Sequence, residues 1–187
     1  MSKITRREAL KREKENHEAL DAEYWAEGEN KWVSSCVSLG KRVKIGHGCI
    51  IGGFTVGDRR GSFGVVIEDD VHIGHLSCIM RGLQRDTTIK TGCRIYQQCN
   101  IGHDTLIGEN TTLRNNVVVL GHVEVGDRCE VGCGARIRDG VKIGNDVFIA
   151  MGAIVVKDVP DGSFVMSPVA AEVVDRERPY RHPRQVT

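Results

Sequence analysis

The chain has few aromatic residues (four Phe, three Tyr and two Trp) and only four prolines in 187 residues. A core filled by rings is therefore excluded, and aliphatic side chains must do that work. Charge of one sign is also missing: 26 Lys and Arg face 25 Asp and Glu. That balance argues against electrostatic capture of a nucleic acid, leaving small molecules or further copies of the chain as expected partners. No run approaches the roughly 18 apolar residues of a membrane span. The opening MSKITRREALKREKE has no apolar middle of the kind a signal peptide needs, so a cytoplasmic location is expected. Seven cysteines, an odd number, leave disulfides or zinc open on count alone.

What the sequence does have is glycine, 22 of them, and a period. Stepping by six from Ile89 meets Ile95, Ile101, Ile107, Leu113, Val119, Val125, Val131, Ile137, Ile143, Ile149 and Val155. Two residues before each stands a small or β-branched residue, among them Thr87, Cys93, Cys99, Thr105, Val117, Cys129 and Ala135. Residues two apart share a strand face, so both positions look into a narrow interior. Short strands broken by regular corners make an all-β hexapeptide solenoid, whose apolar face is buried by stacking coil on coil. Three hexads per coil place residues eighteen apart on one edge of a triangular prism.

The frame continues upstream through Val33, Leu39, Ile45 and Ile51, then Ile67, Ile73 and Ile79. It breaks twice, by sixteen residues and by ten, each read as whole hexads plus four. The surplus residues, around GFTVGDRRGSFG and MRGLQRDT, are expected to form loops, where binding groups gather. The frame is expected to stop after Pro160. Residues 2–31 carry Leu10, His17, Leu20 and Tyr24 at helical spacing. The organisation expected is a helical cap over 1–32, the solenoid over 33–168 and a polar tail over 169–187.

The frame assigns most cysteines to structure: Cys49, Cys93, Cys99 and Cys129 stand at small inward positions, where a thiol is a small hydrophobe. Cys129 points inward and Cys133 lies at a corner, so they cannot share a zinc ion. His47, His75 and His103 fall at corners, where an exposed histidine is ordinarily just solvated. With the breaks counted as four each, they land on three different edges and cannot converge on one metal within a chain, so no metal is expected. His103 and His122, nineteen apart, share an edge one coil apart.

Residues 65–108 resemble the bacterial N-acyltransferases that act on UDP-3-O-acylglucosamine in lipid A synthesis. The likeness includes the interruption, Ile79-Met80-Arg81-Gly82 through Asp86-Thr87, then Gln98 and His103. It departs from that pattern at Met80, Tyr96 and Gln97. The ending VVKDVPDGSFVMSPVA and the Gly102-His103-Asp104 triplet resemble nucleotide-amino-sugar N-acetyltransferases. The resemblance implies a left-handed parallel β-helix and a homotrimer with sites between subunits. It also implies a thioester co-substrate, acyl-CoA or acyl carrier protein, with no tightly bound cofactor, and a nucleotide-linked amino sugar as acceptor. His103 would be the general base.

The residues support that chemistry independently. A neutral imidazole is available near neutral pH to take a proton from an attacking amine. Eighteen residues after His103 comes Gly121, whose backbone N–H would stand one coil along the same edge as an oxyanion donor. Asp104 or Asn100 could orient the imidazole or merely form a turn. Gln98, Arg81 and His122 join them as expected substrate-binding residues. Arg59, Arg60, Arg81 and Arg85, in or beside the loops, could receive phosphates. Rival expectations are a sugar O-acetyltransferase, a carbonic-anhydrase-like metalloenzyme and a non-catalytic trimer.

Overall fold

The computed structural model describes residues 31–53 and 63–166. Its strands are two to four residues long, and all pair in parallel. They form three sheets, the three walls of a parallel β-helix of between six and seven coils. The first wall contains Cys78–Met80, Asn100–Ile101, Val118–Val119 and Arg136–Ile137. The second contains Thr87–Ile89, Leu106–Ile107, Glu124–Val125 and Lys142–Ile143, and the third Arg94–Ile95, Thr112–Leu113, Glu130–Val131 and Phe148–Ile149. In the uninterrupted block Asn100 pairs with Val118, Leu106 with Glu124 and Thr112 with Glu130, each one coil of eighteen residues on.

The hexad works because each position has one task. The second residue of each two-residue strand points inward, as does the third of Thr87–Ile89, and Ile89, Ile107, Leu113, Val125, Val131, Ile137 and Ile149 are completely buried. The small inward position lies just before each strand, so large and small side chains alternate up the prism. Several of these small residues donate to a carbonyl of the next coil: Thr111 Oγ1 to that of Gly126 at 2.7 Å and Cys93 Sγ to that of Gly108 at 2.9 Å. The Thr87 hydroxyl is buried without a partner among the described residues. Burial pushes the Cys93 thiol up to about 12 and that of Cys99 to about 11, and the described cysteines are all free. Cys93 and Cys99 are packing residues, not reactive ones.

Each corner needs one residue in the left-handed region. Asp104, Asn110, Asn116, His122, Arg128 and Asp146 adopt it at six-residue intervals or multiples of six, with Gly134, Gly140 and Gly152 in the same series. Each of these six side-chain-bearing residues except Asp104 donates its N–H to the corner carbonyl one coil before, as His122 does to His103 at 2.9 Å. A second ladder runs along the edge between the second and third walls. There the N–H groups of Glu109, Asp127 and Asn145 donate to the side chains of Asp127, Asn145 and Asp161 at 2.7, 2.8 and 2.8 Å.

Three expectations are corrected. Ile51 lies on the first wall and Ile67 on the second, one hexad further on, so the sixteen-residue step is six plus ten rather than twelve plus four. The longer insertion restores register between His47 and His75. They stack on one edge, with ring centroids 5.4 Å apart and planes at 2°, instead of falling on different edges. Nor do the strands stop where the frame breaks near Pro160: Val159 bridges to Ile143 after a corner shortened by two residues, and Phe164–Val165 adds a last strand on Phe148–Ile149. The expected helical cap before residue 31, Arg59, Arg60 and the tail after 168 lie outside the described residues. Among those described, no helix is long and apolar enough to cross a membrane.

Cutting one inward aliphatic removes packing that both neighbouring coils share. Ile107→Ala should cost about 2–5 kcal/mol in a denaturant titration. Arg94→Ala, on an outward and exposed position, should cost roughly 0.5 kcal/mol or less. Equal costs at the two positions would contradict the assigned faces.

Candidate active site

The ten-residue step from Ile79 to Ile89 inserts four residues at the corner between the first and second walls. That corner lies one coil before His103 and Asp104, and the inserted backbone folds onto the latter. Asp104 Oδ1 accepts three successive N–H groups, from Leu83 at 3.0 Å and from Gln84 and Arg85 at 2.7 Å each. Gly82 permits the tight loop, since a Cβ there would strike the Arg85 carbonyl. Arg85 adds two bonds, Nε to the Asp104 carbonyl and Nη1 to Glu124 Oε1, both at 2.8 Å.

Asp104 is completely buried, and its other oxygen faces His103: Oδ2 lies 2.8 Å from Nδ1. Burial alone would raise the carboxyl pKa, but the N–H groups of Arg85, Gln84 and Leu83 together with His103 outweigh it and bring it down to about 2. An ionised carboxylate can only accept, so Nδ1 must carry the hydrogen. The lone pair of the neutral ring is then on Nε2.

Nε2 faces Gly121. A Cβ on Gly121 would lie 2.8 Å from His103 Nε2 and 2.7 Å from Cε1, so any larger residue would displace the ring. Gly121 also interrupts the corner ladder. It has no side chain to accept the His103 N–H, and neither that N–H nor Gly121's own finds an acceptor among the described residues. His122 completes the group, its ring edge-on to His103 at 4.8 Å and its Nδ1 3.8 Å from Asp104 Oδ2.

The structure thus brings His103, Asp104, Gly121 and His122 together. Asn100 lies outward on the first wall and exposed, and Asp104 rather than Asn100 holds the imidazole. Gln98 stands at the corner beyond the other end of strand Asn100–Ile101, and so does not share the His103 corner. Arg81 donates Nε to the Phe63 carbonyl at 3.2 Å. The cradle of three N–H groups was not anticipated from the sequence. Its one signal was an insertion one coil before an aspartate that follows a histidine.

Ligand atoms of His103, Asp104 and His122 lie within 4.8 Å of one another, close enough to share a cation. The hydrogen bonds already described occupy both Asp104 oxygens and His103 Nδ1. A metal bound through those atoms would have to displace the loop or the ring.

Residues 104–139 and 122–157 match the family model for the bacterial transferase hexapeptide (six repeats). Residues 104–157 are thus similar to the bacterial transferase hexapeptide. The chain is 38% identical over 81 residues to the UDP-3-O-acylglucosamine N-acyltransferase of Hahella chejuensis, across 38% of this chain and 23% of that protein. To the enzyme of the same name from Pseudomonas putida it is 37% identical over 89 residues, 40% of this chain and 25% of that one. The matched stretch thus spans about a quarter of these relatives. Among solved structures, the UDP-N-acetylglucosamine acyltransferase from Campylobacter jejuni aligns with a TM-score of 0.59 and 29% identity, over 70% of this chain and 60% of that one. The UDP-N-acetylglucosamine O-acyltransferase from Moraxella catarrhalis aligns at 0.62 and 23% identity, over 65% and 49%, a likeness of fold.

The buried carboxylate gives an acid-stability prediction. Its folded pKa of about 2 lies below the ordinary 3.8, so its contribution is present above that value and is lost as pH falls through about 2. The full contribution is roughly 2 kcal/mol. Between about pH 6 and about pH 3, the wild type should lose more denaturant stability than Asp104→Asn, which keeps an Oδ1 acceptor but cannot titrate. Equal losses would show that Asp104 is not held ionised by this cradle.

Proposed function

We propose that the chain is an acyltransferase moving an acyl group from a thioester, acyl-CoA or acyl carrier protein, to the amine of a nucleotide-linked amino sugar. One observation carries the reading: Asp104 holds His103 so that Nε2 faces the Gly121 notch, where two backbone N–H groups are without acceptors among the described residues. A base and an oxyanion donor stand side by side. The names of the relatives supply the reaction class.

In this mechanism His103 Nε2 takes a proton from the amine as its nitrogen attacks the thioester carbonyl. Gly121 N–H receives the oxyanion of the tetrahedral intermediate. Collapse breaks the C–S bond, and the proton passes from the imidazolium to the departing thiolate. Asp104 stabilises the imidazolium formed in between. His122 touches the ring's edge and serves binding of donor or acceptor, and Arg81 serves acceptor binding from the inserted loop.

An open corner such as this needs a second surface to exclude water, and a homotrimer supplies one by closed cyclic symmetry. Gln98 and Asn100 would then serve a site completed by a neighbouring subunit. Sedimentation should give a trimer at working concentrations, and a stable monomer would contradict the shared site.

His103→Ala should lower thioester turnover roughly 100-fold or more while leaving acceptor binding and assembly in place. His122→Ala should act mainly on KM. Full turnover in His103→Ala removes this mechanism. A stoichiometric metal lost to chelator together with activity would favour the metalloenzyme reading instead.

A further inference from the structure

One carboxylate at this corner has no part in the mechanism above. Asp139 stands eighteen residues beyond Gly121, the next step along the same edge. Its Oδ1 lies 2.8 Å from where a Gly121 Cβ would be, the distance at which His103 Nε2 lies from the same point. The notch outside Gly121 is therefore walled by the base on one side and by a carboxylate on the other. On the edge between the second and third walls, the residue in the corresponding position spends its side chain on the N–H one coil before, as Asp127 and Asp161 do. Asp139 makes no hydrogen bond or ion pair among the described residues, and it is exposed.

We propose that Asp139 recognises the acceptor's nitrogen and is the residue that makes this site select an amine over a hydroxyl. This rests on the acyl-transfer reading of the same corner. An incoming ammonium meets a carboxylate, and one of its N–H groups can donate to Oδ1 while another is turned toward Nε2. The ammonium gives one proton to Nε2, which releases it to water. The freed lone pair attacks the thioester carbon, and forming the C–N bond puts positive charge on nitrogen, opposite Asp139. The second proton then passes to Nε2, the C–S bond breaks, and that proton ends on the thiolate.

A hydroxyl acceptor brings no cation to Asp139. Oxyanion formation beside Gly121 would then proceed against an unbalanced carboxylate, which disfavours O-acylation. The same carboxylate that attracts the amine penalises the alcohol.

The test separates binding from chemistry. Wild type, Asp139→Asn and Asp139→Glu are titrated by calorimetry, without donor, with UDP-2-amino-2-deoxyglucose and with UDP-glucose, which differ only at the position concerned. Wild type should bind the amine about tenfold more tightly, the size of one charge-assisted hydrogen bond. Asp139→Asn should erase that preference without changing affinity for UDP-glucose, and Asp139→Glu should restore part of it. In turnover, Asp139→Asn should raise KM for the amine more than it lowers kcat, unlike His103→Ala. Equal or absent binding of the two nucleotides by wild type, or a preference that survives in Asp139→Asn, overturns the proposal. The acyl-transfer reading itself stands or falls separately, on thioester consumption by the wild type.

Discussion

From Ile89 to Val155 eighteen residues separate one coil from the next, and that constraint fixes the neighbours along each edge. Inward aliphatics satisfy it through packing, since a coil out of phase would turn its Ile or Val to water and lose roughly 1.5–3 kcal/mol per side chain. The register then places Gly121 on His103 and His122 on Asp104 without any further instruction. Insertions can enter only where they leave the strands paired, which means at corners. The four extra residues within 81–86 use such a corner, and the cradle around Asp104 follows from their place one coil before it.

Burying a carboxylate without partners would cost several kcal/mol, and Asp104 is completely buried. Its two oxygens resolve that cost in different currencies of structure. Oδ1 organises the inserted loop through three backbone donors, while Oδ2 fixes the imidazole's orientation and tautomer. An asparagine could accept the loop's N–H groups equally well. It could not accept from Nδ1–H and also stabilise an imidazolium by charge, which is the part the proposed mechanism gives to the acid beyond holding the loop.

Much of this was legible in the sequence, because a period of six is a statement about which residues are inside. Inward positions, the packing role of the cysteines and the meeting of His103 with Gly121 and His122 all follow from counting. Counting failed where a step admits two decompositions. Sixteen is twelve plus four or six plus ten, and only the wall to which Ile67 belongs decides between them. His47 and His75 were misplaced for that reason alone. The strand Phe164–Val165 was missed because a corner shortened by two residues shifts the phase just where Pro160 suggests an end. Gln98 was grouped with His103 through the resemblance, and a wall of the prism separates their corners. The cradle escaped because backbone N–H groups leave no mark in a sequence.

The edges also explain why the chemistry is found where it is. Between the second and third walls, Asp127, Asn145 and Asp161 close the corner ladder, so those N–H groups are already spent. Between the third and first walls, His75 Nδ1 accepts the His47 N–H at 2.9 Å. At Gly121 the missing side chain leaves the His103 N–H without an acceptor, and Asp139, one coil further on, does not take Gly121's own N–H among the described residues. A corner N–H without an acceptor costs stability when buried. In the proposed mechanism an oxyanion would supply the acceptor that Gly121 N–H lacks. This corner would then turn a bond that elsewhere stabilises the fold into one that stabilises a transition state, which would give a repetitive scaffold a site at a single coil.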